Sequence, residues 1–207
     1  MARRDTRAAL LEAALEMIWT QSYGGVSVDD ICAKAEAKKG SFYHYFSSKS
    51  ELASAAMEHL WNGMKPELDQ LFSPQLAPLE RLKAYAEKVL SDQENGHRQF
   101  GYIVGCPFTS VGSEQCSCKD GLSQKSGEIF SRVRKYLRSA IQDAAGEGLI
   151  PEVDACRAAT ELLTYELGAL SLARVSNSLE PLAGLFDVWM GILRRGAAPA
   201  SSRVVNG

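Results

Sequence analysis

The chain has 207 residues, 45% hydrophobic and 23% charged, proportions that exclude wholesale disorder and supply a core without disulfides or structural metal. Twenty-three Lys plus Arg against 25 Asp plus Glu leave a formal net charge of −2, so no global basic excess marks a nucleic-acid binder, and any such contact must come from a local patch. Met1-Ala2-Arg3-Arg4 leads into Asp5, Arg7, Glu12 and Glu16 rather than an apolar export signal, and no stretch approaches the roughly 18 apolar residues of a membrane span. The expectation is a cytoplasmic protein with five reduced cysteines, no cofactor and no membrane partner.

Apolar residues recur at intervals of three and four, which predicts an all-α fold of about nine helices. A first helix from about Thr6 to Thr20 carries Leu10, Leu11, Ala14, Leu15 and Ile18 and breaks at Tyr23-Gly24-Gly25. Ser27 and Asp30 stand at N-cap and N3 of a short second helix, a capping box with Asp in place of Glu. After Glu36-Ala37, Lys38-Lys39-Gly40-Ser41 opens a third, with the aromatic cluster Phe42-Tyr43-His44-Tyr45-Phe46. Two short helices with a tight turn between them make a minimal helix-turn-helix. Ser48 and Glu51 cap a fourth helix expected to run to about Lys65, and Pro66, Pro74 and Pro78 punctuate the chain beyond it. A fifth helix carries Leu79, Leu82, Tyr85, Ala86, Val89 and Leu90 and is expected to end near Asn95-Gly96. Periodicity fades from Gly101 to Gly127, which predicts a broken helix and a loop, and a long helix resumes around Ile129 and stops at Gly146-Glu147-Gly148. Pro151 and Asp154 open the penultimate helix, apolar on more than one side. The last helix is expected from about Pro181 to Arg195, and residues 197–207 read as a disordered tail.

The segment from Ser27 to Leu52 resembles the tetracycline-repressor (TetR) family of bacterial transcriptional regulators. The resemblance rests on Ser27-Val28-Asp29-Asp30-Ile31, Ala33-Lys34-Ala35, Lys39-Gly40-Ser41-Phe42-Tyr43-His44-Tyr45-Phe46, Ser48-Lys49 and Glu51-Leu52, and covers about the first 60 residues. Family members usually have Gly in the turn where this chain has Glu36, so either the turn needs no left-handed residue or Glu36 accepts strain. In physical terms, Gly40 removes a side chain where backbone approaches phosphate, Ser41 offers a hydroxyl, and Lys38 and Lys39 place charge at a helix N-terminus. Tyr43 and His44 follow on the exposed face, Phe42, Tyr45 and Phe46 anchor the helix, and Lys49 grips the backbone from the other side. The resemblance implies that this third helix enters the major groove and that Ser27, Lys38, Lys39, Gly40, Ser41, Tyr43, His44 and Lys49 include the contacts to a pseudo-palindromic double-stranded operator.

It also implies a division at about residue 47: a helix-turn-helix DNA-binding domain over 1–47, and an effector-binding and dimerising body over 48–196. Dimerisation is expected from Leu163, Gly168, Leu170, Leu185, Phe186 and Trp189, on the last two helices, as an intersubunit four-helix bundle. The middle helices would hold a small-molecule effector, with Trp61, Tyr85, Phe100, Tyr102, Phe108, Phe130 and Tyr165 as aromatic candidates for its pocket. The implied function is a homodimeric repressor released from DNA by that effector, and not an enzyme.

The cysteines offer an alternative trigger. Cys106, in Gly105-Cys106-Pro107, stands ahead of a proline suited to a helix N-terminus, which would lower its pKa, and Cys116 and Cys118 lie ten residues on. These three are thiol-sensor candidates; a soft-metal site with His97 is a further option, although Cys-x-Cys lacks the paired Cys-x-x-Cys spacing of zinc modules. A thiol-dependent enzyme using Cys106 lacks the βαβ context that such motifs need. Cys32 and Cys156 fall in helical stripes and read as core.

Overall fold

The structure is a computed structural model that describes residues 5–115 and 121–195. Its described residues form nine α-helices and one 3-10 turn. α1 (Thr6–Thr20) starts at Asp5, whose carboxylate accepts from the amides of Arg7 (3.0 Å) and Ala8 (3.2 Å). α2 (Val28–Lys34) has the expected capping box: Ser27 Oγ accepts from the Asp30 amide at 3.1 Å, and Asp30 Oδ2 accepts from the Ser27 amide at 2.9 Å. α3 (Lys39–Tyr45) turns Phe42 inward, and Phe42 and the C-cap Phe46 belong to the same buried cluster as Leu10 and Ile31. The three form a compact head on the first half of α4 (Lys49–Leu71), whose N-cap Ser48 accepts from the Glu51 amide at 3.1 Å.

Four expected boundaries move, and at Pro66 and Gly96 packing outweighs a local stop signal. α4 passes through Pro66 and ends at Leu71, since the turn beyond the proline buries Leu68 and Phe72. α5 (Pro78–Phe100) continues through Asn95-Gly96 to Gly101, the left-handed cap at φ 81°. Gly96 serves close approach instead: a Cβ there would lie 2.9 Å from Val104 Cγ2. After α6 (Pro107–Glu114), α7 (Leu122–Gly146) begins well before Ile129. Asp154 caps α8 (Ala155–Ser176), and the expected Pro181–Arg195 helix divides into a 3-10 turn, Glu180–Leu182, and α9 (Leu185–Arg195).

The body is built around α7, which touches α4, α5, α6 and α8. Glu58 of α4 ties it to α7 through Lys125 and through Arg132 at 2.8 Å, and these hydrogen bonds hold the Glu58 carboxyl below its usual range. Trp189 of α9 is fully buried, donates to the Leu162 carbonyl at 3.2 Å and stacks on Tyr85. No helix among the described residues is long and apolar enough to cross a membrane.

Candidate nucleic-acid interface and internal cavity

The α2–α3 turn determines how α3 is presented. Glu36 lies at φ 50°, its amide donates to the Ala33 carbonyl (3.1 Å), and the Ala37 amide donates to Cys32 (2.9 Å). These two bonds are a Schellman ending with glutamate at the left-handed position, so the turn does require that conformation and Glu36 adopts it. Lys38, Lys39, Gly40, Tyr43 and His44 all face outward, and a Cβ at Gly40 would meet open space. Tyr43 is 56% exposed and stands edge-on to Phe42. Lys39 pairs with Asp29 at 2.8 Å between exposed groups, a contact that solvent screens and a phosphate can replace.

Other expected contacts sit differently. Ser27, partly occupied by its cap, donates its hydroxyl to Asp30 at 2.6 Å, while Ser41 is half-buried. Lys49 turns inward: its ammonium donates to the Tyr23 (2.8 Å) and Val26 (2.9 Å) carbonyls and lies over the Tyr23 ring, closing the α1–α2 loop onto α4. Tyr45, expected as an anchor, is 40% exposed; Phe42 and Phe46 do the anchoring.

Inside the body lies a cavity of about 350 Å³, walled by α4, α5, α6, α7 and α8, with Trp19 of α1 also contributing. Tyr85, Phe100, Phe108 and Phe130 line it as expected. Trp61 does not: it packs against Tyr136 and under the Arg132 guanidinium beside an outer groove. Tyr102 is drawn away to donate its hydroxyl to the Thr20 carbonyl (2.9 Å), and Tyr165 projects from the outer face of α8.

Cys106 lines the cavity and caps α6. Burial pushes its thiol up and outweighs the Thr109 side chain and the Thr109 and Phe108 amides, which favour the thiolate, reversing the expected lowering. Cys116 and Cys118 lie outside the described residues, as does the 197–207 tail. Among the described residues no group of His, Cys, Asp and Glu is arranged to hold a metal ion. Cys156, expected in the core, is exposed, with its sulfur 3.8 Å from Arg138 Nη1.

Residues absent from the sequence-based site join the cavity to the head. Gly105, at φ 70°, exchanges bonds with Gln93: its amide donates to Oε1 (2.9 Å) and its carbonyl accepts from Nε2 (3.4 Å). The Trp19 indole donates to the Val104 and Gly105 carbonyls, both at 3.1 Å. Arg174 of α8 donates to the Trp19 carbonyl (3.2 Å) and to Ser110 of α6 (2.7 Å). Glu114, at the far end of α6, accepts from the Tyr23 (3.0 Å) and Gly24 (2.5 Å) amides. Glu166 is the other omission: it falls on the buried stripe of α8 with Leu162, Ala169 and Ala173, lines the cavity, and accepts from the Tyr85 hydroxyl at 3.1 Å.

Of the expected dimer residues, Leu163, Leu170, Leu185 and Trp189 are buried within one chain and Phe186 partly so. They are core because α8 packs on α7 and α9 through that side. Gly168 is on the open side, where Tyr165, Leu172 (54% exposed) and Val175 (89% exposed) continue an apolar stripe at helical spacing.

A paired α2–α3 unit presenting one short helix, carried on a helical body with an internal cavity, is the build of helix-turn-helix transcriptional regulators. The chain matches the model described as bacterial regulatory proteins, tetR family, over residues 10–56, and the tetracyclin repressor-like C-terminal domain over residues 78–198. It belongs to the TetR family and is a DNA-binding transcriptional regulator. It is 27% identical over 186 residues to an uncharacterized HTH-type transcriptional regulator in the lacX 3' region of Lactococcus lactis subsp. lactis, covering 89% of this chain and 91% of that one. It is likewise 27% identical to the HTH-type transcriptional repressor NemR of Escherichia coli K12, with 86% of this chain and 88% of NemR covered. The crystal structure of the reduced form of E. coli NemR superposes with a TM-score of 0.80 over 95% of this chain and 100% of its own, at 26% identity. Regulatory protein TetR from Rhodobacter sphaeroides gives 0.79 over 89% and 97%, also at 26% identity.

Proposed function

We propose that the protein is a cytoplasmic homodimeric repressor that leaves a pseudo-palindromic operator when a small molecule fills the internal cavity. In this reading residues 1–47 form the reading head and 48–196 the sensing and dimerising body. The observation that carries it is the wall shared by cavity and head: Gly105 lines the cavity and accepts a hydrogen bond from Trp19, at the end of the first helix of the head. A ligand that displaces residues 104–106 therefore moves α1. The exposed face of α3 supports the DNA contacts, with Lys38, Lys39, Gly40, Tyr43 and His44 foremost, Ser27 exposed but engaged by Asp30, and Ser41 and Lys49 half-buried.

The test is a salt series of binding to the DNA upstream of the protein's own gene. Wild type is expected to bind with an affinity that falls steeply with salt. Tyr43→Ala and His44→Ala each cost about tenfold in operator affinity, with helical content unchanged. Operator affinity untouched by both substitutions sinks the assigned role of α3.

A second reading, thiol sensing, is favoured by the position of Cys106 in the cavity wall at the cap of α6. An electrophile reaching it would attach to the segment that bears on Trp19. Because burial raises the thiol, its alkylation should quicken with pH to beyond neutrality and lag that of exposed Cys156. Labelled-peptide mass spectrometry measures both; a Cys106 that resists alkylation across the pH range, or whose labelling leaves operator binding unchanged, rules the reading out.

A further inference from the structure

The cavity is apolar over most of its wall, and its buried polar groups are satisfied with one conspicuous exception. Gln93 is engaged at both ends by Gly105. Lys88 reaches Glu67 at 2.7 Å and Asp92 at 3.1 Å. Glu166 is only 5% exposed; Oε1 accepts from Tyr85, and Oε2 has no hydrogen-bond partner among the described residues. A buried carboxyl oxygen without a partner is costly, and the cost is recovered when a ligand supplies a donor.

We propose that the cavity recognises an organic cation, an arylalkyl ammonium whose nitrogen donates to Glu166 while its ring lies among Phe100, Phe108 and Phe130. This rests on reading the cavity as the effector site. An anionic ligand is disfavoured because Lys88, the single basic side chain of the wall, is already held between two carboxylates. A neutral apolar ligand would fill the space and leave Oε2 unpaired. The aromatic wall contributes as well, because it packs against the ligand's ring.

Burial raises the Glu166 carboxyl to about 8, so at neutral pH a proton occupies the place the ammonium would take. The titratable groups around it are Tyr85, Lys88 and Asp92 on α5 and Cys106 ahead of α6. α1, α4 and α7 present Trp19, Leu60, Met64, Phe130 and Val133, none of which titrates near neutrality. Proton and ammonium compete for one oxygen, which makes binding pH-dependent in a definite direction.

The experiment is calorimetric titration of the full-length protein with 2-phenylethylamine, protonated in the range used, and with propylbenzene, its neutral counterpart. Wild type is expected to bind the ammonium at least about tenfold more tightly than propylbenzene, with ammonium affinity rising about tenfold from pH 6 to 7 and levelling above about 8. Glu166→Gln should lose that preference and its pH dependence while keeping its affinity for propylbenzene. A wild-type cavity that binds propylbenzene as well as the ammonium, that binds neither, or whose ammonium affinity is flat with pH overturns the proposal, even if the Gln variant does not fold. A Glu166→Gln variant that keeps the preference does so too. Operator binding is measured in parallel: Glu166-dependent ammonium binding with the DNA still held supports cation recognition and overturns effector release.

Discussion

Glu36 holds a conformation that glycine adopts freely and that costs an L side chain about 1–2 kcal/mol. The Schellman bonds of Glu36 and Ala37 keep it there, because they close α2 at the angle that sets α3 outward. Glu36→Gly should therefore stabilise the protein by about 1 kcal/mol, read as a higher urea midpoint with an unchanged slope. A lower midpoint would show that the glutamate side chain contributes more than its backbone costs. At this scale the sequence is informative about caps and poor on burial. Ser27 and Asp30 are legible as a capping box because both partners lie within one turn. The Cys106 thiol misleads because its helix terminus is visible in Gly-Cys-Pro, whereas its burial depends on helices far along the chain. Lys49 reads as a DNA contact because its true partners, the Tyr23 and Val26 carbonyls, are more than twenty residues away.

Among the elements, α6 and the segment ahead of it act as a strap between cavity and head. Four sets of bonds meet there: Tyr102 to Thr20, Trp19 to residues 104 and 105, Arg174 to Ser110 and to Trp19, and Glu114 to the Tyr23 and Gly24 amides. None falls within one turn of sequence, so periodicity shows only an irregular stretch from Gly101 to Gly127. The helices themselves are legible wherever caps and apolar stripes coincide, as in α2 and α8. They are misleading where a proline or glycine suggests a stop that tertiary packing overrides, as at Pro66 and Gly96. Glu114→Gln combined with Tyr102→Phe removes a charge from one bond and a donor from another while preserving shape. Since each such bond stabilises by about 0.5–1.5 kcal/mol, hydrogen exchange of the Tyr23 and Gly24 amides should accelerate roughly tenfold. Protection in α7 and α8 should stay as it is, and unchanged exchange at Tyr23 and Gly24 would mean that the Glu114 and Tyr102 bonds do not hold the α1–α2 loop.

At the scale of the whole molecule, the net charge of −2 does not argue against DNA, because Lys38 and Lys39 stand exposed at the start of α3 whatever the balance over the rest of the surface. A single head of this size makes few phosphate contacts, and two-fold readers bind half-sites about 34–36 Å apart. In the homodimer we propose, the body supplies the second copy, and burial separates the residues that can meet a partner from those that hold the chain together. Apolar content alone points to Leu163, Leu170, Leu185 and Trp189, which a sequence cannot distinguish from the outer stripe because α8 is apolar on two sides. The stripe Tyr165, Gly168, Leu172 and Val175 is open, and Ile192 of α9 lines the groove beside Tyr165. Leu172→Glu with Val175→Glu should yield a folded monomer by sedimentation, with thermal stability close to that of the isolated wild-type subunit and operator affinity reduced about a hundredfold or more. Trp189→Ala should instead cost about 3–5 kcal/mol of stability through the cavity it leaves beside Tyr85. A double Glu variant that remains dimeric would place the interface elsewhere on the body, because two charges facing each other across an apolar seam are not tolerated by a contact that depends on it.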